Sequence, residues 1–190
     1  MSLIAMQGGA TGTGTVTLLA PVTNTNRTIT LPDATGTVLT NATTTGFPAG
    51  SVLQVINATY STLSSSSSSA FADTGLTASI TPTSASSKIL VMVNHAGCGK
   101  ETNNTILLLK LLRNSTSLID FEKIGGWTNT TTTNYFGSCS TCYLDSPSTT
   151  SATTYKTQLA SGSNNATVYM QSALSGAGCV STITLMEIAA

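Results

Sequence analysis

Thr105-Ile106-Leu107-Leu108-Leu109-Lys110-Leu111-Leu112-Arg113 is apolar at nearly every position, and its conformation separates a mixed fold from an all-β one. Leucine is a good helix former, so the run taken alone is ambiguous. Its flanks are Asn103-Asn104-Thr105 and Asn114-Ser115-Thr116, and the segments on either side alternate with a period of two. That context makes it a strand.

Working outward, the same reading places strands at 52–60, 76–81, 89–95, 105–113, 117–122, 153–160, 167–173 and 180–188. About eight strands with no helical pattern predict an all-β fold, an antiparallel, jelly-roll-like β-sandwich over residues 51–190. The tract Ser64 to Ser69 has no apolar anchor and is expected to be an exposed, mobile hairpin loop.

Two strands, Lys88 to Val93 and Ile106 to Leu112, are apolar on both faces. One face of a thin sandwich meets the core, so the other needs a cover. A neighbouring subunit is one candidate, which makes Val91, Val93, Ile106, Leu108 and Leu112 the expected interface. A loop of the same chain is the other.

Residues 1–45 carry three short alternating stretches, Thr15 to Leu19, Arg27 to Leu31 and Gly36 to Thr40, joined by turn chemistry at Pro21 and at Pro32 to Gly36. So few large apolar residues bury too little surface for stability alone, and assembly with other chains is the remedy. Residues 46–50 read as a linker into the head, with Gly46, Pro48 and Gly50 and no apolar period.

Only 7% of the residues are charged, and about a third are Ser or Thr, so hydroxyls rather than ions keep the surface wet. Seven basic and seven acidic side chains cancel without forming a basic patch, which argues against a nucleic-acid partner. The amino terminus does not read as a signal peptide, and no stretch approaches the ~20 apolar residues that span a bilayer. No membrane insertion is expected.

Candidate chemistry is sparse. His95, Cys98, Cys139 and Cys142 allow a four-ligand zinc site or a disulfide on paper, but nothing in their spacing predicts convergence. Small buried apolar cysteines are the simpler expectation, and no metal or cofactor is assigned. The only histidine lacks any nucleophile context. Asp120 and Glu122 share one strand face by simple alternation and supply the carboxylates of a glycan-degrading enzyme if there is one; a solvated strand edge is the plainer account. No catalytic residue is assigned, and the chain is expected not to be an enzyme. Trp127, Asn129 and Tyr135 lie in a Thr/Asn-rich segment read as a loop, where aromatic rings beside amides and hydroxyls suit stacking on a sugar. Rings that plug the end of the sandwich are the preferred reading, since the case for a sugar site is compositional, and the loop is kept as the best candidate recognition surface.

Thr13 to Pro21, Thr28 to Pro32 and Thr35 to Leu39 together resemble a recurring segment of phage tail fibres. Gly50 to Val55, Asp73 to Leu76, Ser87 to Val91, Tyr143 to Pro147, Thr154 to Gln158 and Ser181 to Ile188 resemble fibre-like proteins of cyanophages and other marine and freshwater phages. The resemblance implies a virion protein, assembled in the host cytoplasm, with a homotrimeric head on an attachment segment that meets other virion proteins. A host surface glycan is the implied external partner of a short tail fibre. The chain departs from long fibres in having no shaft between its two units, which keeps a capsid decoration protein open, as does a free carbohydrate-binding module.

Overall fold

The computed structural model describes residues 47–163, 165–172 and 178–190. The attachment segment expected at 1–45 therefore lies outside the described residues. All regular structure within them is strand: β1 (Val52–Tyr60), β2 (Ser64–Ser66), β3 (Ala72–Ile80), β4 (Lys88–Lys100), β5 (Ile106–Arg113), β6 (Thr116–Gly125), β7 (Asn134–Asp145), β8 (Thr153–Gly162), β9 (Val168–Met170) and β10 (Ser181–Ile188).

Two antiparallel sheets form. In the first, β1, β10, β4 and β7 pair side by side, and β9 with β2 continues from the far end of β4. The second has the order β3-β8-β5-β6. With the two three-residue strands set aside, the first, eighth, third and sixth long strands make one sheet, and the second, seventh, fourth and fifth make the other. Strands that alternate between layers in this order are a jelly roll, two interleaved Greek keys. The expected sandwich is present, and the run from Ile106 to Leu112 is one of its strands.

Parity explains the core. β10 reads Ser-Thr-Ile-Thr-Leu-Met-Glu-Ile, and its alternation turns Ile183 and Leu185 inward. Directly paired residues share a face, so Val93 and Val91 opposite them also point inward, and both are buried in the core with Leu76, Ile80, Leu111 and Tyr155. This corrects the expectation that Val91 and Val93 face a neighbouring subunit. The expected interface on β5 needs revision as well. Ile106, Leu108 and Leu112 do lie on its outer face, but Leu112 is buried, Ile106 packs over Gly162, and Lys110 beside them covers the Phe71 ring at 3.5 Å. Much of the cover for that strand comes from its own chain.

Two further corrections concern strand content. Ser64–Ser66 is not loop but pairs with β9, and the Ser64 hydroxyl donates to Thr74 O at 2.6 Å. The 12-residue strand β7 was not expected at all, because Asn, Ser, Gly, Thr and Cys dilute its pattern; its pairing with β4 from Ile89 to Lys100 holds it in place. Conversely, the strand expected at 167–173 ends at Met170, since Gln171 takes a left-handed φ of 57°.

The sandwich has two distinct ends. At one, the chain enters through Gly50 and Ser51, whose backbones bond that of Ala189 at 2.8 and 2.9 Å, so both termini of the head meet there. At the other, Lys100 pairs with Asn134 and Val168. The 13-residue β4 runs between them, a span of about 40 Å.

Candidate functional site

The end remote from Gly50 carries the most elaborated loop, residues 126–133 between β6 and β7. Gly126 opens it with a φ of 71°, a left-handed turn lying against the Phe136 ring, where a Cβ would come within 2.4 Å of Cε1. Backbone and side-chain bonds then fix the loop. Asn104 N donates to Thr128 O at 2.7 Å, Asn103 Nδ2 to Asn129 O at 3.3 Å, and Asn134 Nδ2 back to Gly126 O at 3.3 Å.

Lys100 is the central brace. Its side chain is fully covered, and its ammonium donates to Thr128 Oγ1 and, at 3.2 Å, to Thr131 O; the Thr128 hydroxyl donates to the same carbonyl at 2.6 Å. Among the described residues no carboxylate reaches this ammonium. Burial pulls its pKa down, and the loop supplies neutral oxygens in place of water. Neighbouring Tyr169 donates its hydroxyl to Lys100 O at 3.2 Å and packs its ring 5.3 Å from that of Tyr135.

On this scaffold Trp127 is 55% exposed and Tyr135 44% exposed, while Asn129 is also exposed. The rings therefore face solvent and do not plug the sandwich. Tyr135 belongs to β7 rather than to the loop, so it sits on the more rigid element. Neither Lys100 nor Tyr169 was anticipated as a support. The one available signal was a lysine ending an otherwise apolar strand at Gly97-Cys98-Gly99-Lys100.

Replacing Lys100 by Met isolates the brace. The variant keeps the covered aliphatic stem and loses the ammonium's bonds to Thr128 and Thr131, so the loop keeps its Thr128–Thr131 and Asn104–Thr128 bonds but loses its tie to β4. The expected outcome is a protease cut within 126–133 at least tenfold faster than in the parent, with a red-shifted Trp127 emission and an unchanged β-sheet circular dichroism spectrum.

The zinc set does not assemble. Strand alternation separates Cys139, buried, from Cys142, exposed on the opposite face of β7. His95 and Cys98 lie on the Cys139 side, but both imidazole nitrogens are engaged, Nε2 with Thr157 Oγ1 at 2.9 Å and Nδ1 with Gln171 Nε2 at 3.4 Å. Cys98 donates to His95 O and Cys139 to Glu122 Oε2, each at 3.7 Å, and all four cysteines are free thiols. Its neighbour Cys98, burial and Glu122 together keep the Cys139 thiol protonated.

The carboxylate pair is likewise displaced. A bulge at Phe121 puts Asp120 opposite Lys110 on the outer face and Glu122 opposite the core residue Leu109, breaking the expected alternation. Asp120 pairs with Lys123 at 3.1 Å, and Glu122 Oε1 accepts from the amides of Lys123 and Ile124, both at 3.0 Å. Both border a shallow groove of about 260 Å³ with Phe71, Leu108 and Lys123.

No family model matches this chain, and no curated protein matches it. Among solved structures, the VP2 subviral particle of infectious bursal disease virus aligns with a TM-score of 0.42 at 12% identity. The alignment covers 72% of this chain and 32% of that one, so the chain spans about a third of that protein's length. At that distance the likeness bears on neither fold nor function.

Proposed function

We propose that this chain is a non-enzymatic structural protein of a phage virion, a short tail fibre whose homotrimeric head meets the host surface. The observation that carries this reading is the opposition of the two ends. The polypeptide arrives at Gly50, next to the carboxyl terminus, and the braced loop with its solvent-facing Trp127 and Tyr135 lies at the other end of β4. A head attached through residues 1–45 to other virion proteins presents that loop outward. Exposed rings flanked by Thr128, Asn129 and Thr130 suit a neutral glycan, which stacks on aromatic faces and bonds to hydroxyls and amides.

A capsid decoration protein is the second reading, favoured by the mere handful of residues between the attachment segment and β1. Binding of labelled full-length protein to host cells distinguishes the two. In a receptor binder, Trp127→Ala with Tyr135→Ala lowers cell binding at least tenfold while the fold survives. Binding to phage particles but not to cells turns the assignment to decoration. Depolymerisation of host polysaccharide that vanishes in Asp120→Asn with Glu122→Gln overturns the non-enzymatic reading.

A further inference from the structure

The outer faces of the two sheets differ in charge. Across the second sheet, register aligns Asp73, Gln158, Lys110 and Asp120 in one row, with Lys156 and Lys123 beside it. Five of the chain's fourteen Lys, Arg, Asp and Glu residues thus wet that face. Across the first sheet, register aligns Val55, Met186, Leu90 and Leu144 in a continuous apolar row over four strands. Val52 and Ile188 extend it toward the Gly50 end, and the next row is Asn57, Thr184, Met92 and Cys142. The row beyond is Thr59, Thr182, Asn94 and Ser140, and Lys88, at the margin beside Ile188, is the one charge in these rows.

From this asymmetry we infer that the outer face of the β1-β10-β4-β7 sheet is the surface through which copies of this chain pack against one another; the inference rests on the homotrimer reading and gives it an interface. Val52, Val55 and Leu144 are each at least half exposed in the single chain, at 53%, 52% and 50%. The eight apolar positions on this face, Met92 and Cys142 included, each cover about 4.8 Å by 6.6 Å and give the apolar area a size of about 250 Å². It is about a third of the ~800 Å² that each partner of a stable complex covers, the share an apolar centre takes. The Asn, Thr and Ser rows supply the remainder as a polar rim.

The identity of the partner follows from charge. A foreign partner is selected and oriented by complementary charges, and this face has none to offer beyond marginal Lys88. A second copy brings the same uncharged surface, so association strands no ion, whereas the charged outer face of the other sheet must lose solvated ion pairs to do the same. The apolar outer face of β4, Leu90 and Met92, is thereby covered, as the sequence required, but through the residues of opposite parity to Val91 and Val93.

Cys142 lies within this face and is the exposed cysteine among the described residues, so it reports on cover directly. The experiment uses full-length protein in a Cys179→Ser background, with light scattering for mass and Ellman's reagent for Cys142. The expected result is an oligomer whose Cys142 reacts at least tenfold more slowly than that of the Val55→Lys, Leu144→Lys variant, which is a folded monomer by mass and circular dichroism. Dilution of the unsubstituted assembly until it dissociates restores Cys142 reactivity without any change at Val55 or Leu144, which covers the case of a variant that fails to fold. An oligomer whose mass and thiol reactivity ignore the double substitution overturns this face and leaves the trimer standing. A monomer with reactive Cys142 overturns both, and a monomer with protected Cys142 overturns self-association in favour of cover by residues 1–46 of the same chain.

Discussion

Asp145→Ala is expected to lower the unfolding free energy by about 3 kcal/mol, the low end of the range for breaking a buried ion pair, because a quarter of the Arg113 side chain stays in water. Asp145 ends β7 in the inward-facing row, where Arg113 Nη1 reaches both carboxylate oxygens at 2.9 Å and the Tyr155 hydroxyl donates to Oδ2 at 2.6 Å. Arg113 and Tyr155 come from β5 and β8, so this one carboxylate ties the second sheet to the first at the end where the chain enters. Tyr155 heads the largest fully buried side chains, and burial together with Asp145 keeps its hydroxyl protonated and donating. Without the carboxylate, that hydroxyl stays in the core with no acceptor, and Arg113 keeps only Ser146 O at 3.4 Å. Tyr155→Phe removes one bond and strands less, so its cost is about 1 to 3 kcal/mol. Guanidinium denaturation of the two variants beside the parent gives both values. A loss below about 1 kcal/mol for Asp145→Ala would show that the sheets are held together without this contact, since a domain's whole stability is only about 5 to 15 kcal/mol.

How far the fold was legible depended on whether a segment's pattern is its own. β1, β8 and β10 end within one or two residues of where alternation places them, because their apolar period is visible locally, and β5 does so because polar Asn and Thr flanks bound its apolar run. β7 was invisible because its partner makes it a strand: twelve residues rich in Ser, Gly, Thr and Cys gain ladder bonds from β4 that no local propensity reports. The bulge at Phe121 was equally hidden, and it alone separates Asp120 from Glu122. Val91 and Val93 turned inward for a subtler reason. A strand apolar at every position has no parity of its own, and the face of Val91 was fixed only by its pairing with Leu185 on an alternating neighbour. Trp127, Asn129 and Tyr135 were legible as a group within a polar segment opened by turn-forming Gly125-Gly126, but the sequence favoured rings that plug the sandwich over rings that face solvent, and it placed Tyr135 in the loop rather than on a strand. Their supports Lys100 and Tyr169 were not legible, since both come from strands distant in sequence.

The head is also expected to weaken steeply on mild acidification, through His95. The imidazole is fully covered, stacked 6.3 Å from Phe121 with planes 2° apart, and bonded to Thr157, whose hydroxyl in turn meets Thr74 Oγ1 at 2.6 Å. Burial pulls its pKa down to about 4 from the ordinary 6.5. In the unfolded chain His95 takes up a proton as pH falls through 6.5, but in the folded chain it resists until about 4. The unfolded state therefore binds more protons throughout that window, and stability falls as acid is added. With a limiting slope of about 1.4 kcal/mol per pH unit that is only partly reached at either end of the window, the loss between pH 6.5 and 4.5 is about 2 kcal/mol. Glu187 acts lower on the scale. Burial pushes its carboxyl up, but bonds from Gln54 Nε2 at 2.6 Å and from the Thr83 amide and hydroxyl at 2.7 and 2.8 Å outweigh this and leave it below the usual carboxylate range. Its contribution is intact above the ordinary carboxylate pKa and is lost only as pH falls through the depressed value, beneath the window that His95 controls. His95→Gln keeps a polar tip near Thr157 and does not titrate, so denaturation midpoints at pH 7, 5.5 and 4.5 should converge in that variant and spread in the parent. A parent equally stable at pH 7 and 4.5, or a His95→Gln variant that keeps the parental slope, would remove the imidazole from this role and point to the carboxylates alone.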